Sequence, residues 1–427
     1  MKVRNYIIIL LIVISAFFIG CENKEITSED YDSYLSKNIK PLNLIDTNDF
    51  SEFEFINSDI KKSDLILIGE MHGTKANYDI KMKFLNYIKA EHDLKYLLIE
   101  YPYITSVYTN KYLNSGDETY LENVELPNEE DYEFLKELYK INSNLDEKDK
   151  IRVIGIDSGS TKLSVDYLIE EFSKMKLDST SQAHLEKLVK IQENMVELSS
   201  NMNASTMEYL EIKNSFMNLY EGIYNYKSYY EKTLDKENSM DFFGILDSVY
   251  STYYYSDFED SNMTLNEVFQ TLFINRDNLM YYNFKKIYKN YNDGKYFGQL
   301  GGAHTYAKSQ TAEGVKPFAT LVNEDNKISV LTLEILYEKC EFNDKGTTQG
   351  YTSYNKSNII QNHIKYDNSI IKLNDKKSPY LKTLDTKLSS YFIPYDMKSV
   401  TTDYFQYIIL VKNSLEAVEN EKVLQCK

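Results

Sequence analysis

The chain has 427 residues and a formal net charge of −17, its 48 lysines and arginines facing 65 aspartates and glutamates. That balance excludes a protein whose affinity comes from neutralising nucleic-acid phosphates. A content of 42% hydrophobic and 26% charged residues likewise excludes a disordered chain, and 427 residues are enough to bury a full core.

The N-terminus has the pattern of an export signal. Lys2 and Arg4 precede the apolar run YIIILLIVISAFFIG, which ends at Cys21 and gives way at once to the polar stretch ENKEITSED. A positive start, a short apolar stretch and a small residue before the cleavage point define a secretory signal. FIGC is similar to a bacterial lipobox, with Phe18 where Leu is usual. The alternative is an uncleaved anchor helix, for which the run is at the lower edge of spanning length. The expectation is a signal peptide over residues 1–20, lipidation of Cys21 and a polar tether over 21–45, leaving the chain anchored to the cell membrane and facing the extracellular side. Cys340 and Cys426 would then be the remaining cysteines, free to pair but too few for a disulfide framework or a metal motif.

From residue 46 onward, short apolar runs alternate with amphipathic stretches. LILIG (65–69), KYLLIEY (95–101), IRVIGID (151–157) and KYFGQLGG (295–302) read as strands buried on both faces. Between the first two, Ile80, Phe84, Tyr87 and Ile88 recur at helical spacing, so the order is strand, helix, strand, and the pairing parallel. Residues 162–290 contain no proline and carry Leu185, Leu188, Met195, Leu198 and Met202 at helical spacings. This predicts a helical insertion in an α/β core formed by 46–161 and 291–427. ISVLTLEIL (328–336) and YFQYIILV (404–411) read as further strands, with a long surface excursion at 341–375. The fold class is therefore α/β, with a parallel or mostly parallel central sheet flanked by helices.

Four of these strands end on unexpected polar residues: Glu70 and His72, Glu100, Asp157, and His304 after Gly301-Gly302. Strands of a parallel sheet share a direction, so their carboxyl ends lie along the edge where open α/β folds bind ligands. Each residue also has a structural alternative. His72 or Asp157 can cap a helix or start a turn, Glu70 can face a helix dipole, and the glycines before His304 can simply make a turn. Glu100 ends a strand enclosed on both faces, where an ionised carboxylate requires a partner. Arg276 is the candidate cation, being one of few arginines and lying just before the fourth strand; Arg152, at the opposite end of its strand, is assigned a structural role. His92, His184 and His363 lack such company and are read as structural or solvated.

The set suits hydrolysis, with an imidazole taking a proton from water and a carboxylate fixing its tautomer. A cation for the developing oxyanion would be Arg276 or a divalent metal on His72, Glu70 and His304, although HExxH and closely spaced ligand pairs are absent from the sequence.

These residues resemble the erythromycin esterase family. IGEMHGT (68–74), IEYP around Glu100, GID ending at Asp157, the pattern of Arg276, Asp277, Met280 and Asn283, and GGAHT around His304 occur in that family's order. The single residue between Glu70 and His72 resembles instead the related ChaN-like haem-binding lipoproteins and the TraB and Tiki group of metal-dependent proteases. A second histidine close to the last one, usual in the esterases, is absent here. The resemblance covers roughly residues 60–160 and 270–310. It implies a site of Glu70, His72, Glu100, Arg276 and His304, with His72 as general base acting on a small-molecule ester, lactone or related bond and needing no cofactor. Divalent metal or haem enters only in the alternative readings.

Overall fold

The computed structural model describes residues 26–200, 206–256, 271–272, 274–310, 316–344, 347–390 and 392–420. The signal sequence, Cys21, Met202 and Cys426 lie outside them. Ten strands are present among these residues: β1 (Ile39–Pro41), β2 (Leu65–Glu70), β3 (Leu94–Pro102), β4 (Arg152–Asp157), β5 (Lys295–Gly301), β6 (Val330–Tyr337), β7 (Cys340–Asp344), β8 (Thr347–Tyr351), β9 (Asn368–Lys372) and β10 (Tyr407–Val411). Eight form one sheet in the order β1-β9-β10-β6-β2-β5-β3-β4, and β7 pairs with β8 in a separate hairpin. Pairing is parallel from β10 to β4 and antiparallel only for β9 and β1.

Alternation along the strands builds the layers. In β2, Leu65 and Leu67 join one cluster, with the helices Tyr103–Ser115, Thr161–Lys174, Lys236–Tyr255 and Arg276–Tyr288, while Ile66 and Ile68 join another beneath Glu54–Lys62, Ala76–His92 and Glu129–Ser143. Both faces are thus covered by helices, which is why the strand sequences are apolar throughout. The helices between residues 161 and 255 share the first cluster with the sheet, so the inserted segment extends the core rather than forming its own. Within its Leu and Met stripe, Leu188 and Met195 are buried and Leu185 and Leu198 pack against the cluster.

At the β4 edge, three asparagines occupy backbone groups that another chain could otherwise pair with. Asn110 Nδ2 donates to Val153 O at 2.8 Å while its Oδ1 accepts from Val153 N at 2.9 Å. Asn142 pairs with Ile151 in the same two-way fashion, and Asn283 Nδ2 donates to Ile156 O at 3.0 Å. Side-chain amides from three helices thereby blunt the sheet edge.

Two sequence expectations are corrected. Residues 26–45 are not all a polar tether: Ser28–Asn38 is a helix with Tyr34 and Leu35 buried, and β1 completes the sheet beside β9. The apolar positions there are few, but they sit where the antiparallel edge offers a surface to cover. The stretch 341–375 is not wholly a surface excursion either, because β9 lies inside the sheet with Ile370 and Ile371 fully buried. Its short apolar centre is flanked by polar residues that hid the strand. Cys340 is buried, its thiol facing the carbonyls of Glu338 and Val411.

Candidate active site

The order β2-β5-β3-β4 places the carboxyl ends of four parallel strands side by side. Glu70 ends β2, Gly301 ends β5, and Asp157 ends β4. Glu100 is in a register shift of β3: Ile99 pairs with Gly155 and Pro102 with Asp157, leaving one extra residue on β3. Such a bulge re-aims the side chains it contains. Gly155 permits it, since a Cβ there would lie 2.3 Å from Pro102 O.

Arg276 opens the helix Arg276–Tyr288, an end at which a cation is disfavoured by the helix dipole. Two carboxylates offset that. Arg276 Nε donates to Asp157 Oδ1 at 3.0 Å and Oδ2 at 2.9 Å, one terminal nitrogen also reaches Asp157, and the same nitrogen donates to Glu100 Oε1 at 2.7 Å. The fork geometry of guanidinium suits this bridging of two strand ends. The other terminal nitrogen lies 3.4 Å from His304 Nε2.

His72 follows β2 on a turn whose Gly73 has φ +80°, with the backbone of Asn343 close against it. Its Nδ1 lies 2.9 Å from Glu70 Oε1 and its Nε2 3.6 Å from Glu100 Oε2, while 62% of the side chain is exposed. Gly301 allows this convergence: a Cβ there would lie 3.1 Å from His72 Nε2 and 3.4 Å from Glu100 Oε2. Partial desolvation opposes the charged ring, but the carboxylates of Glu100 and Glu70 outweigh it and push its pKa up to about 10. At neutral pH His72 is therefore an imidazolium, not the near-neutral imidazole that its ordinary pKa suggests.

His304, in the single turn Gly302–His304, places Nδ1 2.7 Å from Asp277 Oδ1 and Nε2 3.4 Å from Glu100 Oε1. Burial opposes its charge, and Asp277 followed by Glu100 push its pKa up to about 9. Burial likewise acts to raise Glu100, yet its hydrogen bonds to the two histidines hold it well below the usual carboxylate range. Glu100 also accepts from Gly301 N at 2.7 Å.

The structure thus brings Glu70, His72, Glu100, Asp157, Arg276 and His304 into one connected network. Glu70, Arg276 and His304 border a cavity of about 680 Å³; His72 stands beside it at the surface, against Glu70. Three contributors received no site role in the sequence reading, although Asp277 was part of the family pattern. Asp277, next to Arg276, orients His304 and accepts from Phe318 N at 2.6 Å. Gln299, the one polar residue inside β5, donates to Glu70 and to Asn77 O. Glu334, a lone charge in the apolar β6, is on the cavity wall. Their signal was polarity at buried strand or helix positions, which has meaning only once neighbouring strands are known. The other histidines are placed elsewhere. His184 Nδ1 is 2.7 Å from the Tyr230 hydroxyl, His92 stacks edgewise on Tyr87, and His363 contacts Asp32. Arg152 pairs with Asp241 and Glu237 at the opposite sheet edge.

The metal set His72, Glu70 and His304 does not fit this arrangement. Carboxylates on Nδ1 leave Nε2 of both rings open, as in metal-ligating histidines, but the Arg276 guanidinium lies 3.4 Å from His304 Nε2 and bonds Glu100, so a positive charge already occupies the centre where a cation would be shared. Among the described residues no three His, Cys, Asp or Glu side chains are disposed to hold a metal ion.

No family model matches the sequence, and no curated protein does. Solved structures do match in fold. A Bacillus cereus protein superposes with TM-score 0.73 at 16% identity, covering 92% of this chain and 100% of that one. A succinoglycan biosynthesis protein gives 0.68 at 13% identity over 92% and 98% of the two chains. A mutant of the erythromycin esterase EreC in its open conformation gives 0.64 at 14% identity over 88% and 98%. The chain has the erythromycin esterase-like fold.

Proposed function

We propose that the chain is an exported, lipid-anchored hydrolase of the erythromycin esterase-like type, acting on an ester, lactone or related bond. The observation that supports this reading most directly is the convergence of His72, Glu70, Glu100, Arg276 and His304 at one sheet edge beside a cavity. Fold alone would not carry it.

In this reading Glu70 holds His72 through Nδ1–H, leaving Nε2 to take a proton from water. The resulting hydroxide adds to the carbonyl carbon. Arg276 and His304, both cationic, stabilise the developing oxyanion. Collapse of the tetrahedral intermediate breaks the carbon–oxygen bond to the leaving group, which takes the proton back from His72, giving one acid and one alcohol. Because both carboxylates favour the charged ring, His72 must first lose its proton while His304 keeps its own, so the rate rises with pH and falls again once His304 deprotonates above about 9, a bell-shaped profile.

Anchoring rests on Lys2, Arg4, the apolar run and Cys21. The cell membrane would be reached through lipid on Cys21, with the domain on its outer side.

The test is a screen of ester and lactone substrates against the purified chain lacking residues 1–21 and against its His72→Ala variant, together with metal content and haem absorbance. Hydrolysis lost in the variant and indifferent to chelators is the expected result. Stoichiometric haem with no hydrolysis by the wild type would overturn the reading, and hydrolysis abolished by chelation would replace it with a metal mechanism.

A further inference from the structure

Glu70, Asp277 and Glu334 are the carboxyls lining the cavity beside the cluster, and the mechanism above does not use Glu334. Glu334 is on β6, one strand beyond β2, and pairs in register with Gly69. Two glycines make room for it. A Cβ on Gly69 would lie 2.4 Å from Glu334 Oε2, and one on Gly302 would lie 3.1 Å from Oε1. Larger residues at either place would displace the carboxyl from the cavity wall.

Among the described residues its surroundings contain no cation. From the segment after β5 it faces Gly302, Thr305 and Tyr306, whose hydroxyl donates to Oε1 at 3.3 Å. Tyr337, on the same strand, is a further titratable group close to it, and Glu70, Asp277 and Tyr351 line the same cavity. The β10 residue paired with it is Ile408. No basic side chain among the described residues is recorded in contact with Glu334, whereas Glu70, Glu100, Asp157 and Asp277 all have cationic partners. Met71, Ile274, Ala303 and Pro317 supply the apolar part of the same cavity.

We propose that Glu334 contacts the substrate as a neutral carboxylic acid, donating a hydrogen bond from the cavity wall to a carbonyl, ether or hydroxyl oxygen of an uncharged ester. The substrate class rests on the hydrolase reading; the placement and the donor role rest on the cavity. A carboxyl enclosed without a cation is cheaper to protonate than to ionise, and burial raises its pKa well above the usual carboxylate range. Protonated, it has one oxygen to accept from Tyr306 and one O–H to offer inward. The cavity would then combine charged groups at the reacting bond with a neutral donor on the neighbouring strand β6.

Two variants and one spectrum test this. Infrared spectra at neutral pH should show a protonated carboxyl band in the wild type that is lost in Glu334→Gln. With 4-nitrophenyl butyrate as probe, Glu334→Gln, which keeps a donor, should remain within about threefold of wild-type kcat/KM, while Glu334→Leu should raise KM about tenfold at unchanged Tm, consistent with loss of one neutral hydrogen bond. The wild type should also lose affinity at alkaline pH as Glu334 ionises, and Glu334→Gln should not. A band unaffected by Glu334→Gln, or a Leu variant with wild-type KM, overturns the proposal even when His72→Ala abolishes hydrolysis. If the wild type cleaves no ester, the hydrolase reading fails separately. The probe is then an unconsumed ligand, and absence of a shift in the Glu334 band on its addition overturns the donor role.

Discussion

Arg276 Nε donates to both carboxylate oxygens of Asp157, at 3.0 and 2.9 Å, and so ties the start of a helix to the end of β4. The remaining faces of the guanidinium serve Glu100 and His304, which makes Arg276 the hub of the charged cluster. Removing it leaves Asp157 enclosed without a cation and Glu100 with only the two histidines. Arg276→Ala is expected to destabilise the fold by about 3 kcal/mol, read as a fall in the denaturation midpoint, because a broken buried pair leaves uncompensated charge. Arg276→Lys should recover part of the stability and little of the hydrolysis, since an ammonium cannot bridge both carboxylates in the same plane.

His304 makes stability depend on pH. Its pKa is about 9 in the folded chain against about 6.5 when unfolded, so folding binds its proton. The contribution is fully present below pH 6.5 and is lost as pH rises through 9, on the order of 3 kcal/mol in all. Thermal melts of the wild type should therefore decline across that window, and those of His304→Gln should decline less. An identical slope in both would show that the Asp277 contact does not hold the proton.

The bulge at Glu100 depends on a missing side chain. Gly155→Ala would bring a Cβ to 2.3 Å from Pro102 O and 2.7 Å from Tyr101 O, both backbone atoms with little freedom to retreat. The substitution should cost about 2 kcal/mol or more by overpacking. Hydrolysis should suffer beyond what stability explains, because β3 would move and carry Glu100 away from Arg276. A crystal structure of the variant would show the displacement directly.

The segment before the core should be part of the folded unit. Leu35 is fully buried, and the Tyr34 hydroxyl donates to Lys372 O at 2.8 Å. Leu35→Ala should cost about 3 kcal/mol, the usual scale for emptying a core leucine site. A chain starting after residue 42 should melt lower still, with β9 exposed as a sheet edge. A flexible tether over the whole of 21–45 would predict no change in either.

Much of the fold was legible from periodicity. The runs at 65–69, 95–101, 151–157 and 295–302 are strands because continuous apolar residues with β-branching have few other places to go, and their parallel order follows from the helices between them. Polar residues at their ends were equally legible: a charge terminating a buried run has to be met by something. What the strands' sequences did not contain was their neighbours. β9 and β1 carry too few apolar residues to announce themselves, and they belong to the sheet because β10 offers an unpaired edge. Glu334 reads as a stray charge until Gly69 is seen opposite it. The charge state of His72 was also outside the sequence's reach, since it depends on two carboxylates, one of them 28 positions away, converging on one ring. Residue types and strand order are local properties of the chain, whereas protonation and cavity shape arise from distances between segments that only packing fixes.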